Sequence, residues 1–114
     1  MEIKVIKEKI TREELESFAR DNYGDMIKAV VDIEKEIIAL GGEFHSDANE
    51  VLTEQGSNQR NIWGINIYPR KDKTEWIEFV SLINIRPADN NFDMEVQNEE
   101  IREKIKKIIN KLII

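Results

Sequence analysis

The chain has 114 residues, 40% of them hydrophobic and 35% charged, a formal net charge of −6 and no cysteine. This length buries one core without staples, so a single α+β domain over residues 1–114 is expected, and the apolar clusters along it argue against disorder. The absence of cysteine excludes disulfides, thiolate nucleophiles and thiolate metal sites and points to the cytoplasm, while the negative charge works against loose binding of nucleic acid.

Residues Ile3 to Lys9 begin with strand alternation. Thr11 and Glu14 then spell a capping box, with Ile10 and Leu15 placed as a hydrophobic staple. Leu15, Phe18, Ala19 and Tyr23 make the buried stripe of a helix that Gly24 ends. No apolar run approaches the ~20 residues of a membrane span.

Met26 to Leu40 fits either helical or strand spacing. The β-branched density of Ile27, Val30, Val31, Ile33, Ile37 and Ile38, broken by Glu34 and Lys35, favours a hairpin. Ser46 stands where it would N-cap a short helix running to Gln55, with Gly56 as its stop and a polar loop to Arg60 after it.

Ile62 to Tyr68 and Glu75 to Ile85 alternate and are predicted to form an antiparallel pair. Pro87 and the Asp89-Asn90-Asn91 cluster end that pair in a loop. The last helix, Asn98 to Leu112, buries Ile101, Ile105, Ile108, Ile109 and Leu112, with acids at its start and lysines near its end as the helix dipole favours. The expected order is β-α-β-β-α-β-β-α: about five strands in an antiparallel or mixed sheet, with three helices packed on it.

Several segments together resemble a known family: Val31-Asp32, Gly41-Gly42-Glu43-Phe44-His45-Ser46-Asp47, Gly56-Ser57-Asn58-Gln59, Ile62-Trp63-Gly64-Ile65-Asn66-Ile67-Tyr68-Pro69 and Ile83-Asn84-Ile85-Arg86-Pro87. It is a family of short bacterial and archaeal proteins labelled only as a domain of unknown function. The resemblance covers nearly the whole chain, adds weight to the hairpin, and implies no catalytic assignment.

The chemistry is sparse. His45 is the only imidazole, and His45-Ser46-Asp47 with Ser57 does not make a hydrolase, because neither serine lies in a nucleophile elbow and capping already accounts for Ser46 and Asp47. A metal site would have to join His45 to Asp32, Asp47 or Glu50, and such scattered acids are ordinarily solvated surface. No metal or cofactor is expected. The glycine pairs fit turns better than phosphate loops, and the basic last helix has no nucleic-acid reader motif.

The strongest constellation lies on the last two strands. If Ile67 faces Ile77, Asn66 falls opposite Glu78 on the other face, with Tyr68 and Trp76 nearby and Asn84 and Arg86 farther along. Its structural counterpart is the wet side of a half-buried sheet, with Arg86 paired to an acid such as Glu78. The candidate ligand-binding residues are therefore His45, Asn66, Glu78, Asn84 and Arg86, with no residue assigned to catalysis. The leading expectation is a non-enzymatic binding or interaction module, working through this face and the 56–60 loop on a ligand, a protein partner or a second copy of itself. Trp63, Trp76, Phe92 and Met94 are either interface anchors or core. The alternative is a small, metal-assisted enzyme acting on an anionic metabolite through His45 and Arg86.

Overall fold

The computed structural model describes residues 2–114. In chain order they form β1 (Ile3–Ile6), α1 (Arg12–Asn22), β2 (Ile27–Asp32), β3 (Ile37–Gly41), α2 (His45–Glu54), β4 (Ile62–Ile67), β5 (Ile77–Glu78) and α3 (Glu99–Leu112). The strands make one five-stranded sheet in the order β1-β3-β2-β4-β5, antiparallel at every pairing. The β-α-β-β-α-β-β-α order and the hairpin at 26–40 are as the sequence predicts.

The local devices explain the helix ends. Thr11 Oγ1 accepts from the Glu14 amide (3.1 Å) and Glu14 Oε1 from the Thr11 amide (3.3 Å), so both halves of the capping box form. Asn98 Oδ1 accepts from the amides of Glu100 and Ile101 at 2.8 and 3.2 Å and starts α3. A 14-residue helix is marginal alone, and burial of Ile105, Ile108, Ile109 and Leu112 is what holds α3, at roughly 1.5–3 kcal/mol per side chain. At the β2–β3 turn Asp32 Oδ1 accepts from the amides of Glu34 and Lys35, both at 2.9 Å. This Asx geometry offsets the positive φ of Glu36.

Both faces of the sheet are covered. Ile27, Ala29 and Val31 of β2, Ile38 and Leu40 of β3, and Trp63, Ile65 and Ile67 of β4 pack with α1 and α3. On the opposite face Val30, Ala39 and Ile62 pack with Ala48 and Leu52 of α2. The polar residues of β4 and β5 therefore do not lie on the open side of a half-buried sheet; they face the layer that α2 builds.

The predicted long strand over 75–85 is replaced by a two-residue one. Beyond Glu78 the chain meets residues 94–96, where the Ser81 and Val96 amides donate to Met94 O (3.0 Å) and Phe79 O (2.9 Å), and then coils into a 3₁₀ turn at Leu82–Asn84. The β4 edge it vacates is satisfied by the Asn84 side chain. Asn84 Oδ1 accepts from the Gly64 amide at 2.8 Å and Nδ2 donates to Gly64 O at 2.9 Å, replacing a strand with one carboxamide. Gly64 is needed there, because a Cβ on it would lie 2.5 Å from Ser81 Cβ.

Candidate functional site

The strand register places three polar residues in one row: Lys28 of β2 is the cross-strand partner of Asn66 of β4, and Asn66 that of Glu78 of β5. The Asn66–Glu78 pairing and the Ile67–Ile77 pairing beside it are those expected from strand alternation. This row lies on the α2 face, but α2 starts only at His45, so its cover runs out there and leaves a cavity of about 500 Å³. Its walls are Met26 and Lys28 on the β2 side, residues 44–46 at the start of α2, Asn66, residues 80–83 and Met94.

Asn66 is 9% exposed. Its Nδ2 donates to Glu78 Oε1 at 2.7 Å and more weakly to Val80 O at 3.5 Å. A flipped amide would press its carbonyl against the Glu78 carboxylate, so the orientation is determined by chemistry. The other end, Oδ1, is buried beside the His45 imidazole and has no partner of full hydrogen-bond geometry among the described residues. A buried acceptor left unpaired costs about 1–3 kcal/mol; Asp32 Oδ2, Ser57 Oγ and the indole N–H groups of Trp63 and Trp76 share that state, and Asn66 is the one of these residues that lines the cavity.

His45 is half-buried, with Nε2 2.7 Å from Ile65 O. A carbonyl only accepts, so Nε2 carries the proton and Nδ1 of the neutral ring is an acceptor. Burial holds the imidazole below its usual pKa and the nearby Lys28 ammonium pushes the same way; the Ile65 carbonyl, Asn66 and Glu78 oppose them. Lys28 Nζ donates to Glu43 O at 2.6 Å and lies 5.5 Å from the Phe44 ring centroid, which places a positive charge beside the N-terminus of α2.

The helix itself departs from expectation: α2 begins at His45 with Phe44 as its N-cap, so Ser46 is its second residue rather than its cap. Asp47 provides the capping, its Oδ2 accepting from the Phe44 amide at 2.9 Å. Asp32 sits four residues from Lys28 along β2, about 13 Å away at strand rise, and is occupied in its turn. Among the described residues no three His, Asp or Glu side chains gather as a metal site would require.

The remaining two candidates lie elsewhere. Asn84 is fully buried and spends its amide on Gly64 and on Met94 O (3.1 Å). Arg86 does not meet Glu78 or any other acid directly. It donates to Arg60 O (2.9 Å), Ile83 O (3.3 Å) and Ile62 O, with its guanidinium 4.0 Å from the Trp63 ring centroid. Ile62 is four residues from Asn66, so Arg86 grips β4 about 13 Å from the cavity row. The structure thus brings together His45, Asn66 and Glu78, and uses Asn84 and Arg86 to hold the chain that roofs them. Trp76, expected beside Glu78, instead turns into the α1/α3 core, as Trp63 does, whereas Phe92 and Met94 are exposed.

Sequence reasoning missed Lys28, Phe44 and Leu82. The signal for Lys28 was its place as the one cation in a strand that is otherwise apolar up to its closing Asp32; once the hairpin is accepted, it must share a face with Val30 rather than with Ile27. Phe44 and Leu82 are 60% and 72% exposed at the cavity mouth, and no local pattern marks them. Among the described residues no helix is long and apolar enough to cross a membrane.

Searches of curated proteins and of solved structures return no match. Over residues 4–112 the chain matches the model of a family described as a protein of unknown function (DUF5674), and it belongs to that family.

Proposed function

We propose that this chain is a non-catalytic binding module that takes a small molecule with a substantial apolar body into the cavity at the start of α2. The observation that carries this reading is the Asn66 carbonyl oxygen, buried without a partner in a residue that lines the cavity and held in place by the bond from its own Nδ2 to Glu78. The atom has almost no accessible surface, so a ligand N–H or O–H would satisfy it after a small shift of the cavity lining. The volume falls in the range of small-molecule sites, and its walls mix apolar side chains with a few polar groups, as such sites do. Phe44, Leu82 and Met94 at its edge leave apolar surface that a ligand would cover. The absence of cysteine fits work in the reducing cytoplasm.

The enzyme alternative has less to rest on, since His45 and Arg86 do not share a cavity and the imidazole proton is held by Ile65 O. A fragment screen read by amide chemical shifts tests the binding reading. Hits should perturb residues 28, 45, 66 and 80–83, and Asn66→Leu should weaken hydrogen-bonding hits. Hits that map elsewhere, or that ignore Asn66→Leu, would overturn it.

A further inference from the structure

We infer that the ligand is a zwitterion, a free L-α-amino acid with an apolar side chain; this deepens the binding reading above and rests on it. The cavity has two poles of opposite character. On one side stands the Lys28 ammonium beside the start of α2. Lysine has three donors and only one is spent on Glu43 O, while the amides of His45 and Ser46 belong to the first helical turn, whose N–H groups have no partner within the helix. These groups and the helix dipole favour an anion.

The other pole is the Asn66 carbonyl oxygen, nine-tenths buried and unpaired, backed by the Glu78 carboxylate, of which one oxygen takes the Asn66 amide. Neutral His45 adds an acceptor rather than a donor. This side favours an ammonium group. Lys28 and Asn66 are direct cross-strand partners, so the two poles stem from adjacent positions of one row on the sheet. Two poles in one row suit a carboxylate and an ammonium carried by one small molecule. A peptide chain carries its two termini on different residues and would present only one of them here, so the paired poles favour the free amino acid. Between and above the poles the walls are Met26, Phe44, Val80, Leu82, Ile83 and Met94, which would receive an apolar side chain and nothing charged.

The test is calorimetric titration of the intact chain with L-phenylalanine, L-leucine and L-methionine, and with two monopolar analogues of the first, phenethylamine and 3-phenylpropionate. L-phenylalanine should bind about ten- to a hundredfold more tightly than either analogue, since each lacks one charge-assisted contact. Lys28→Met should weaken L-phenylalanine and 3-phenylpropionate by about tenfold or more and leave phenethylamine unchanged; Glu78→Gln should weaken L-phenylalanine and phenethylamine and spare 3-phenylpropionate. Neither side chain is buried, and amide spectra of both variants would verify folding. If a monopolar analogue equals the amino acid, or the crossed pattern is absent, the zwitterion reading falls while the small-molecule cavity stands. If none of the three amino acids binds at millimolar concentration, the inference is overturned, and the fragment screen alone then judges the cavity.

Discussion

Two asparagines on the same strand system, Asn66 and Asn84, should respond to truncation with very different losses of stability. Asn84→Ala removes three hydrogen bonds, of 2.8, 2.9 and 3.1 Å, at a site with no exposure. Each net bond is worth about 1 kcal/mol, and here Gly64 N–H and Gly64 O are left behind without a replacement while Met94 O keeps the Ser81 amide, which brings the loss to about 3–5 kcal/mol. A domain of this size has about 5–15 kcal/mol in total, so at least about a fifth of its stability would go. Urea unfolding reads this as a fall in midpoint of about 2 M for a slope near ~2 kcal/mol per M. Asn66→Ala loses the bond to Glu78, which is exposed and turns to water, and the long one to Val80 O, and it also removes the buried oxygen. Its cost should stay within about 1 kcal/mol. If Asn84→Ala costs under about 1 kcal/mol, the carboxamide is not the strand substitute described above. If Asn66→Ala costs as much as Asn84→Ala, Asn66 is a structural residue and the cavity loses its main ligand group.

Arg86→Met should cost about 2–3 kcal/mol in chemical unfolding, and Arg86→Lys should recover only part, since a lysine cannot fork to three carbonyls while lying on Trp63. Gly64→Ala should cost about 2–3 kcal/mol through the Ser81 contact, and adding Ser81→Gly should restore a measurable share; no recovery would remove that contact as the cause. Because burial lowers the pKa of His45 in the folded chain, the unfolded chain binds more protons in the window below about pH 6.5. Stability from this residue is therefore complete above that pH and falls as pH drops towards the folded value. Urea midpoints from about pH 7.5 to about pH 5 should show this slope in the natural chain, and less of it in His45→Gln, the chain having no other histidine.

Much of the framework is readable along the chain because its causes are local. The Thr11–Glu14 box acts over three residues, the α3 stripe over one face of one helix, and the Asn66–Glu78 register follows from alternation in Ile65, Ile67 and Ile77 once the two strands are paired. His45, Asn66 and Glu78 could be singled out on residue type and parity. What no local pattern carries is the fate of the chain after Glu78. Alternation continues through Phe79, Ile83 and Ile85, yet the strand stops, because Asn84 reaches across twenty positions of sequence to occupy the Gly64 edge and Arg86 ties the following loop to Ile62. The same holds for the second covered face of the sheet. Whether Lys28 and Asn66 look into water or under a helix depends on where α2 lands and where it begins, a matter of packing between distant segments. Residue types and short-range spacing were enough for the order of the elements and for His45, Asn66 and Glu78; the extent of the last strand, the cavity, its two poles and the structural roles of Asn84 and Arg86 arise only when those elements are assembled.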